Sequence, residues 1–242
     1  MSAYHYRRGL AALALLALAG TYAMNSDPSH AKEPIPAGES ASAVEGARQK
    51  DSTDKKLEKA TFGNGCFWCT EAVFEELKGV EAAVSGYSGG RVPNPTYEQV
   101  CTGATGHAEV IQITFDPEKI TFAELLEVFW MTHDPTTLNR QGPDVGTQYR
   151  SAVFFHNDEQ RREAEHFKTK LDDAEAFNAP IVTEITKFEK FYPAEDYHQQ
   201  YYEANRRQPY CKMVVRPKVV KVRKAFKDKL KVNDKDDDQE NE

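Results

Sequence analysis

Cys66 and Cys69 lie three residues apart in Gly63-Asn64-Gly65-Cys66-Phe67-Trp68-Cys69-Thr70, where thiols, aromatic rings and glycines crowd one short stretch. A cysteine attacks as its thiolate. That form is favoured where a helix begins, because unpaired backbone N–H groups and the positive end of the helix dipole face it. Thr61-Phe62 closes a short apolar run that reads as a strand, and Val73, Phe74 and Leu77 recur at helical spacing. Cys66 therefore falls at a strand-to-helix junction, with a pKa expected below the ordinary thiol value of about 8.5. Gly63 and Gly65 permit a tight turn that leaves the sulfur uncovered, and Phe67 and Trp68 offer flat apolar surface beside it. A cysteine serving only as a small buried hydrophobe would not gather glycines, aromatics and a second thiol onto one turn.

Three other polar stretches sit in loops at element boundaries, where sites are usually built. Gly103-Ala104-Thr105-Gly106-His107-Ala108-Glu109 leads into a strand and puts His107 and Glu109 on one face. Gln141-Gly142-Pro143-Asp144-Val145-Gly146-Thr147-Gln148-Tyr149-Arg150-Ser151 leads into another and carries Asp144, Tyr149 and Arg150. Pro93-Asn94-Pro95-Thr96-Tyr97 adds a further phenol. A carboxyl group partly buried beside aromatics has a raised pKa and can donate a proton near neutral pH. Taken singly, each of these residues also fits a turn former or a surface hydroxyl. Cys101 reads as an inert thiol in a glycine-rich loop, and Cys211 lies between Pro209 and Pro217. A zinc site wants a second close pair of ligands, which Cys101 and Cys211 do not form. No metal and no bound organic cofactor is implied, and redox chemistry fits the cysteines better than a disulfide scaffold.

The elements that must position these groups follow from periodicity. A strand to Phe62 is followed by a helix Phe67 to Leu77, a strand Val80 to Tyr87 and, after a turn-rich loop, a strand His107 to Phe115. Thr121 and Glu124 form a capping box that opens a helix with an apolar face of Phe122, Leu125, Leu126, Phe129 and Trp130. A long loop to Tyr149 precedes a strand Ser151 to Phe155. The order is βαββαβ, which predicts an α+β two-layer sandwich with a split βαβ, ferredoxin-like core. C-terminal helical extensions follow: a charged helix Asp158 to Leu171, a strand Ile181 to Ile185, a helix Pro193 to Ala204, and a basic amphipathic helix. Val219, Val222, Phe226 and Leu230 mark the packing side of that last helix.

The 242-residue chain divides unevenly. Arg7-Arg8 followed by the apolar stretch Gly9 to Gly20 predicts a secretory signal peptide over 1–23, since the stretch falls short of the roughly 20 residues of a membrane span. An uncleaved anchor is the alternative. Residues 24–56, rich in Ser, Ala, Pro, Gly and charge, read as a disordered linker, and 57–230 as the folded domain. In the tail 231–242, Lys231 and Lys235 stand against Asp234, Asp236, Asp237, Asp238, Glu240 and Glu242, which accounts for much of the formal net charge of −7. The mildly acidic body argues against a nucleic-acid partner. The expectation is an exported monomer of the periplasm or cell envelope.

Gly65-Cys66-Phe67-Trp68-Cys69, Gly86-Tyr87-Ser88-Gly89-Gly90, Pro93-Asn94-Pro95-Thr96-Tyr97, Gly106-His107-Ala108-Glu109, the Gln141 to Ser151 stretch and Ala194-Glu195-Asp196-Tyr197-His198-Gln199-Gln200-Tyr201 together resemble the A-type peptide methionine sulfoxide reductases. The resemblance runs from about Lys59 to Pro217. It implies that methionine sulfoxide, free or in damaged proteins, sets its methyl group against Phe67 and Trp68, with Tyr201 at the rim. Its oxygen is bonded by Tyr97, Tyr149 and a protonated Glu109, while Asp144 helps to hold the tyrosines. Cys66 attacks the sulfur as Glu109 protonates the oxygen; methionine leaves, Cys66 becomes a sulfenic acid, and a second thiol closes a disulfide that a thioredoxin-like dithiol reopens. The resemblance also implies action on the S epimer. Many relatives have glycine where this chain has Cys69, so Cys69 is one candidate resolving thiol. Cys211, in what reads as a mobile C-terminal arm, is the other and the preferred one. A thiol-disulfide oxidoreductase is the rival enzyme, and it would leave Glu109, Tyr97 and Tyr149 idle. An exported binding protein with structural disulfides is the rival outside catalysis.

Overall fold

The computed structural model describes residues 56–231. The expected signal peptide, nearly all of the linker and the tail beyond Lys231 lie outside the described residues.

In chain order the elements are β1 (Glu58–Asn64), α1 (Phe67–Phe74), β2 (Val80–Ser88), α2 (Tyr97–Cys101), β3 (Ala108–Phe115), α3 (Phe122–Thr132), β4 (Arg140–Gln141), β5 (Asp144–Val145), β6 (Ser151–Phe155), α4 (Asp158–Asp173), β7 (Glu184–Lys187), β8 (Phe191–Pro193), α5 (Tyr201–Ala204) and α6 (Arg216–Ala225). A six-stranded sheet runs β7-β6-β1-β3-β2-β8. Its β6 and β7 pair in parallel, and the other neighbours are antiparallel. β4 and β5 form a separate hairpin. Helices set against one mixed sheet make this an α+β fold.

Alternation along β3 sorts its residues between two faces. Ile111, Ile113 and Phe115 enter the main core with Ala60 and Phe62 of β1, Val73 and Phe74 of α1, Leu125 and Phe129 of α3, Phe167 of α4, and Val219 and Val222 of α6. Ala108 and Val110 turn the other way, onto Ala152, Phe154 and the rings of Phe188 and Phe191. Phe62 is wholly buried, its ring 5.6 Å from Phe74 and 5.1 Å from Phe129. That contact presses α1 and α3 onto the centre of the sheet.

Several boundaries differ from the sequence reading, two through a tertiary partner that periodicity does not register and one through a local cap. The expected helix Pro193 to Ala204 is broken. Pro193 ends β8 opposite Gly86, Asp196–His198 is a single 3-10 turn, and the helix begins only at Tyr201. The cause is Gln199, whose side chain takes the N–H of Ser85 at 3.0 Å and donates to the Ser85 carbonyl at 3.0 Å, acting as a piece of sheet edge. The strand expected at Ile181 to Ile185 is instead β7, shifted later, because the Ile181 N–H is held by the Asp172 carboxylate and the Val182 N–H by the Pro135 carbonyl. The loop before β3 contains α2, opened by a capping box between Thr96 and Gln99. Cys101 therefore closes a helix and does not lie in a loop.

The turn from β1 into α1 rests on Gly65 at φ +90°. A Cβ there would stand 2.6 Å from the Gln141 Cβ, which is strain plus overlap. Gly65→Ala is expected to lower unfolding free energy by about 1–3 kcal/mol, measured as a reduced midpoint in urea at unchanged slope; an unchanged midpoint would show the turn to be relaxed.

Candidate active site

The end of β1 and the start of β3 meet where β1 leaves the sheet. Cys66 is the N-cap of α1, with φ −57° and ψ 124°. Its carbonyl receives the N–H of Cys69 at 3.1 Å, so the first helical turn forms directly on the cysteine. Such a turn leaves N–H groups without intrahelical partners. One of them, on Phe67, donates to Glu109 Oε2 at 3.1 Å. Glu109, the second residue of β3, is in register with Tyr87 of β2, so its position beside α1 is set by the sheet.

All four cysteines are free thiols, and three are buried: Cys66, Cys69 and Cys211 expose 6%, 1% and 0% of their surface. The Cys66 thiol donates a hydrogen bond to the Cys69 sulfur. Tyr210 closes the group, its hydroxyl donating to Asp144 Oδ2 at 2.8 Å while lying 4.0 Å from Cys69 Sγ.

The aromatic wall beside the sulfurs is built around Trp68. Tyr201 stacks on it at 3.7 Å and 9° between planes, and Tyr210 meets it edge-on at 5.9 Å. The indole N–H donates to His198 Nδ1 at 3.1 Å, which puts the imidazole proton on Nε2. Phe67 is almost fully buried behind this wall, 4.9 Å from His198 and 6.0 Å from Tyr87, so it backs the site and Trp68 offers the more open face. Gln200, with left-handed backbone, begins the helix bearing Tyr201, and its N–H is held at 3.0 Å by Glu71, a carboxyl that burial pushes up to about 7.

Burial governs the electrostatics. Glu109 is raised well above the usual carboxylate range by burial first and then by Cys66, which favours its protonated form. Tyr149 is raised by burial and then by Glu109 and Cys66, and Tyr97 by burial and then by a hydrogen bond with Cys101, so both phenols stay donors. The thiolate expected at Cys66 is corrected here. Burial pushes the Cys66 thiol up, and this outweighs the lowering by the helix-start N–H of Cys69 and by the Tyr210 hydroxyl. The hydrogen bond from that thiol pulls Cys69 down, so of the two sulfurs Cys69 is the one drawn towards the thiolate form. A second correction concerns Cys211. It is no mobile arm: it sits in the core at the start of a π-helical turn, Cys211–Val215, continuous with α6.

The structure places Cys66, Cys69, Glu109, Tyr149, Asp144, Phe67, Trp68, Tyr201 and Tyr97 in one neighbourhood. His107 is apart from them, its Nδ1 accepting from Gly90 N–H and its Nε2 bonded to the Val92 carbonyl, where it organises the loop before α2. Tyr210, His198 and Glu195 were not singled out from sequence. The one available signal for Tyr210 was an aromatic ring adjoining Cys211.

A thiol pair at a helix start, facing phenolic donors and a carboxyl that burial draws towards its protonated form, is the equipment of a cysteine-dependent oxidoreductase that must protonate an oxygen. Residues 58–230 match the family model described as peptide methionine sulfoxide reductase. The chain is 55% identical over 178 residues to peptide methionine sulfoxide reductase MsrA of Saccharolobus solfataricus, covering 74% of this chain and 99% of that one. It is 57% identical over 176 residues to MsrA of Sulfolobus acidocaldarius, covering 73% and 99%. Of solved structures, Mxr1 from Saccharomyces cerevisiae in reduced form superposes with a TM-score of 0.61 at 36% identity, covering 67% of this chain and 92% of that chain. The chain belongs to the peptide methionine sulfoxide reductase family.

The buried proton on Glu109 has a consequence for stability. Above the ordinary carboxylate pKa the unfolded chain releases this proton while the folded chain keeps it, so the group costs the fold progressively more as pH rises until its own raised pKa is passed. Glu109→Gln is therefore expected to be stabilising relative to wild type at pH 7 and not at pH 4, the gap opening by up to about 1.4 kcal/mol per pH unit. Urea unfolding of both proteins at the two pH values measures this; a pH-independent difference would mean Glu109 is ionised in the fold.

Proposed function

We propose that this enzyme reduces methionine S-sulfoxide, free and in proteins, by the chemistry of Cys66, and so repairs oxidised proteins. One arrangement carries the reading: a nucleophilic sulfur at the N-cap of α1, with the protonated Glu109 fastened to the next residue's N–H. The sulfoxide methyl group lies against Trp68. Tyr97, Tyr149 and Glu109 donate to the sulfoxide oxygen, which withdraws electrons from the sulfur. Cys66 gives up its proton as it attacks, and Cys69, already drawn towards the thiolate form, is the adjacent acceptor. The attack forms a bond between the Cys66 sulfur and the substrate sulfur while Glu109 protonates the oxygen. The resulting hydroxyl passes to the Cys66 sulfur as the S–O bond and the new sulfur–sulfur bond break, leaving the electron pair on the methionine sulfur. The products are methionine and Cys66 sulfenic acid, which balances oxygen and electrons.

The resolving step follows from contact. Cys69 already touches Cys66, whereas Cys211 would have to unwind a core turn, so Cys69 is assigned the attack that expels water and closes the disulfide. A thioredoxin-like dithiol then exchanges with that disulfide and returns both thiols. In its finer form the fold is read as a split βαβ core, supported by the antiparallel run β6-β1-β3-β2 and the helices α1 and α3 that link its strands.

Single-turnover reduction of a methionine sulfoxide peptide tests this. Cys66→Ser is expected to form no methionine. Cys69→Ser should form one equivalent but fail to lose a second thiol, and Cys211→Ser should behave as wild type. Glu109→Gln should slow the step on the order of 10²–10⁴-fold. Exchanged behaviour of the Cys69 and Cys211 variants would move the resolving role to Cys211. Wild-type protein that makes no methionine while Cys66 titrates normally would return the thiol-disulfide oxidoreductase.

The segment 1–23 supports export to the periplasm or cell envelope, and the burial of most large apolar side chains among the described residues supports a monomer. N-terminal sequencing of protein recovered from the envelope should begin after residue 23, with a single-chain mass by light scattering. An intact Met1 or a dimer mass would refute the respective point.

A further inference from the structure

We propose that Glu195 is the positioning residue for Tyr97, holding its phenol where the sulfoxide oxygen must be met; this rests on the reductase reading above. Tyr97 opens α2, a helix of five residues. A helix that short has almost no stability of its own, so the direction of the phenol depends on what fastens the helix start. The Thr96–Gln99 capping box satisfies the N–H groups of Thr96 and Gln99. The Tyr97 N–H is left over, and it donates to Glu195 Oε1 at 2.8 Å.

The other carboxylate oxygen, Oε2, accepts from the Tyr87 hydroxyl at 2.9 Å. Tyr87 is completely buried in β2 and stands opposite Glu109 in the sheet register. One carboxylate therefore links the backbone of Tyr97 to the strand beside the proton donor. Burial raises the pKa of Glu195, but the hydrogen bonds it receives outweigh this and hold it below the usual range, so it remains a double acceptor at neutral pH. Three residues on, His198 packs 4.5 Å from the Tyr97 ring, accepts the Trp68 indole N–H, and has Nε2 3.9 Å from Glu195 Oε2. The short segment Glu195–His198 thus sets two groups of the site at once, the phenol by a carboxylate and the tryptophan by an imidazole. A glutamine keeps one acceptor oxygen but presents an amide donor at its second position, and an aspartate is too short by one methylene to span both partners.

A double-mutant cycle on single-turnover methionine formation separates positioning from mere support. Glu195→Ala is expected to slow the step on the order of 10- to 100-fold, and Glu195→Gln by less. In a Tyr97→Phe background, which lacks the phenol, Glu195→Ala should slow the step by less than about two-fold, since nothing remains to be misplaced. If the effects multiply, or if Glu195→Ala or Tyr97→Phe alone turns over at the wild-type rate, the positioning role is wrong. Should Glu195→Ala not fold, as judged by circular dichroism, the same cycle with Glu195→Gln decides by the same criterion. Wild-type protein that forms methionine shows that a failed cycle counts against Glu195 alone; wild-type protein that forms none removes the reductase reading and this role with it.

Discussion

The hydrogen bond from the Phe67 N–H to Glu109 joins the two parts on which the site depends. It satisfies a helix-start donor with the carboxyl of a neighbouring strand, and so fixes the distance between nucleophile and acid without a side-chain cap. The arrangement works only if the carboxyl is held by something stiffer than a loop, and β3, paired on both sides, provides that. It also requires that water be kept away, because the carboxyl retains its proton through burial. The aromatic wall of Trp68, Tyr201 and Phe67 therefore has two uses: it receives an apolar methyl group, and it supplies the low dielectric that keeps Glu109 neutral.

The same desolvation explains why the nucleophile is quiet at rest. A helix start favours thiolate by a modest amount at an exposed position, whereas removing a thiolate from water costs more than that end can return. Cys66 is 6% exposed, and burial dominates. The activating influence has to come from the bound substrate's polarised S–O group together with the second sulfur at hand, so reactivity is tied to occupancy of the site. A thiol whose ionised form is disfavoured until its substrate arrives is also less open to passing oxidants.

Much of this was legible in the chain. The strand order through Phe155 followed from alternation at Val110, Ile111 and Ile113 and from the Thr121–Glu124 capping box, and the candidate site residues fell at strand ends as their loop positions suggested. What could not be read was whatever a distant partner decides. Gln199 breaks a helix because it finds the edge of β2, 114 positions away in sequence. Cys211 lies among prolines that suggest freedom, yet Val215, Val219 and Val222 draw it into the core. The thiolate expectation failed for a similar reason: dipole arguments are local, and burial is a property of the whole fold.

The C-terminal segment closes on helix α1 as a buckle. Arg223 forms paired bonds of 2.9 Å to Glu76, Lys229 reaches Glu124 at 2.6 Å, and Leu230 bridges to Leu77, while Val219, Val222 and Phe226 complete the main core. A chain emerging from the ribosome therefore lacks part of the wall behind its first helix until the last stretch of the domain has been made. The two cysteines of the site and Glu109 are thus made well before the C-terminal residues that seat the helix carrying the cysteines.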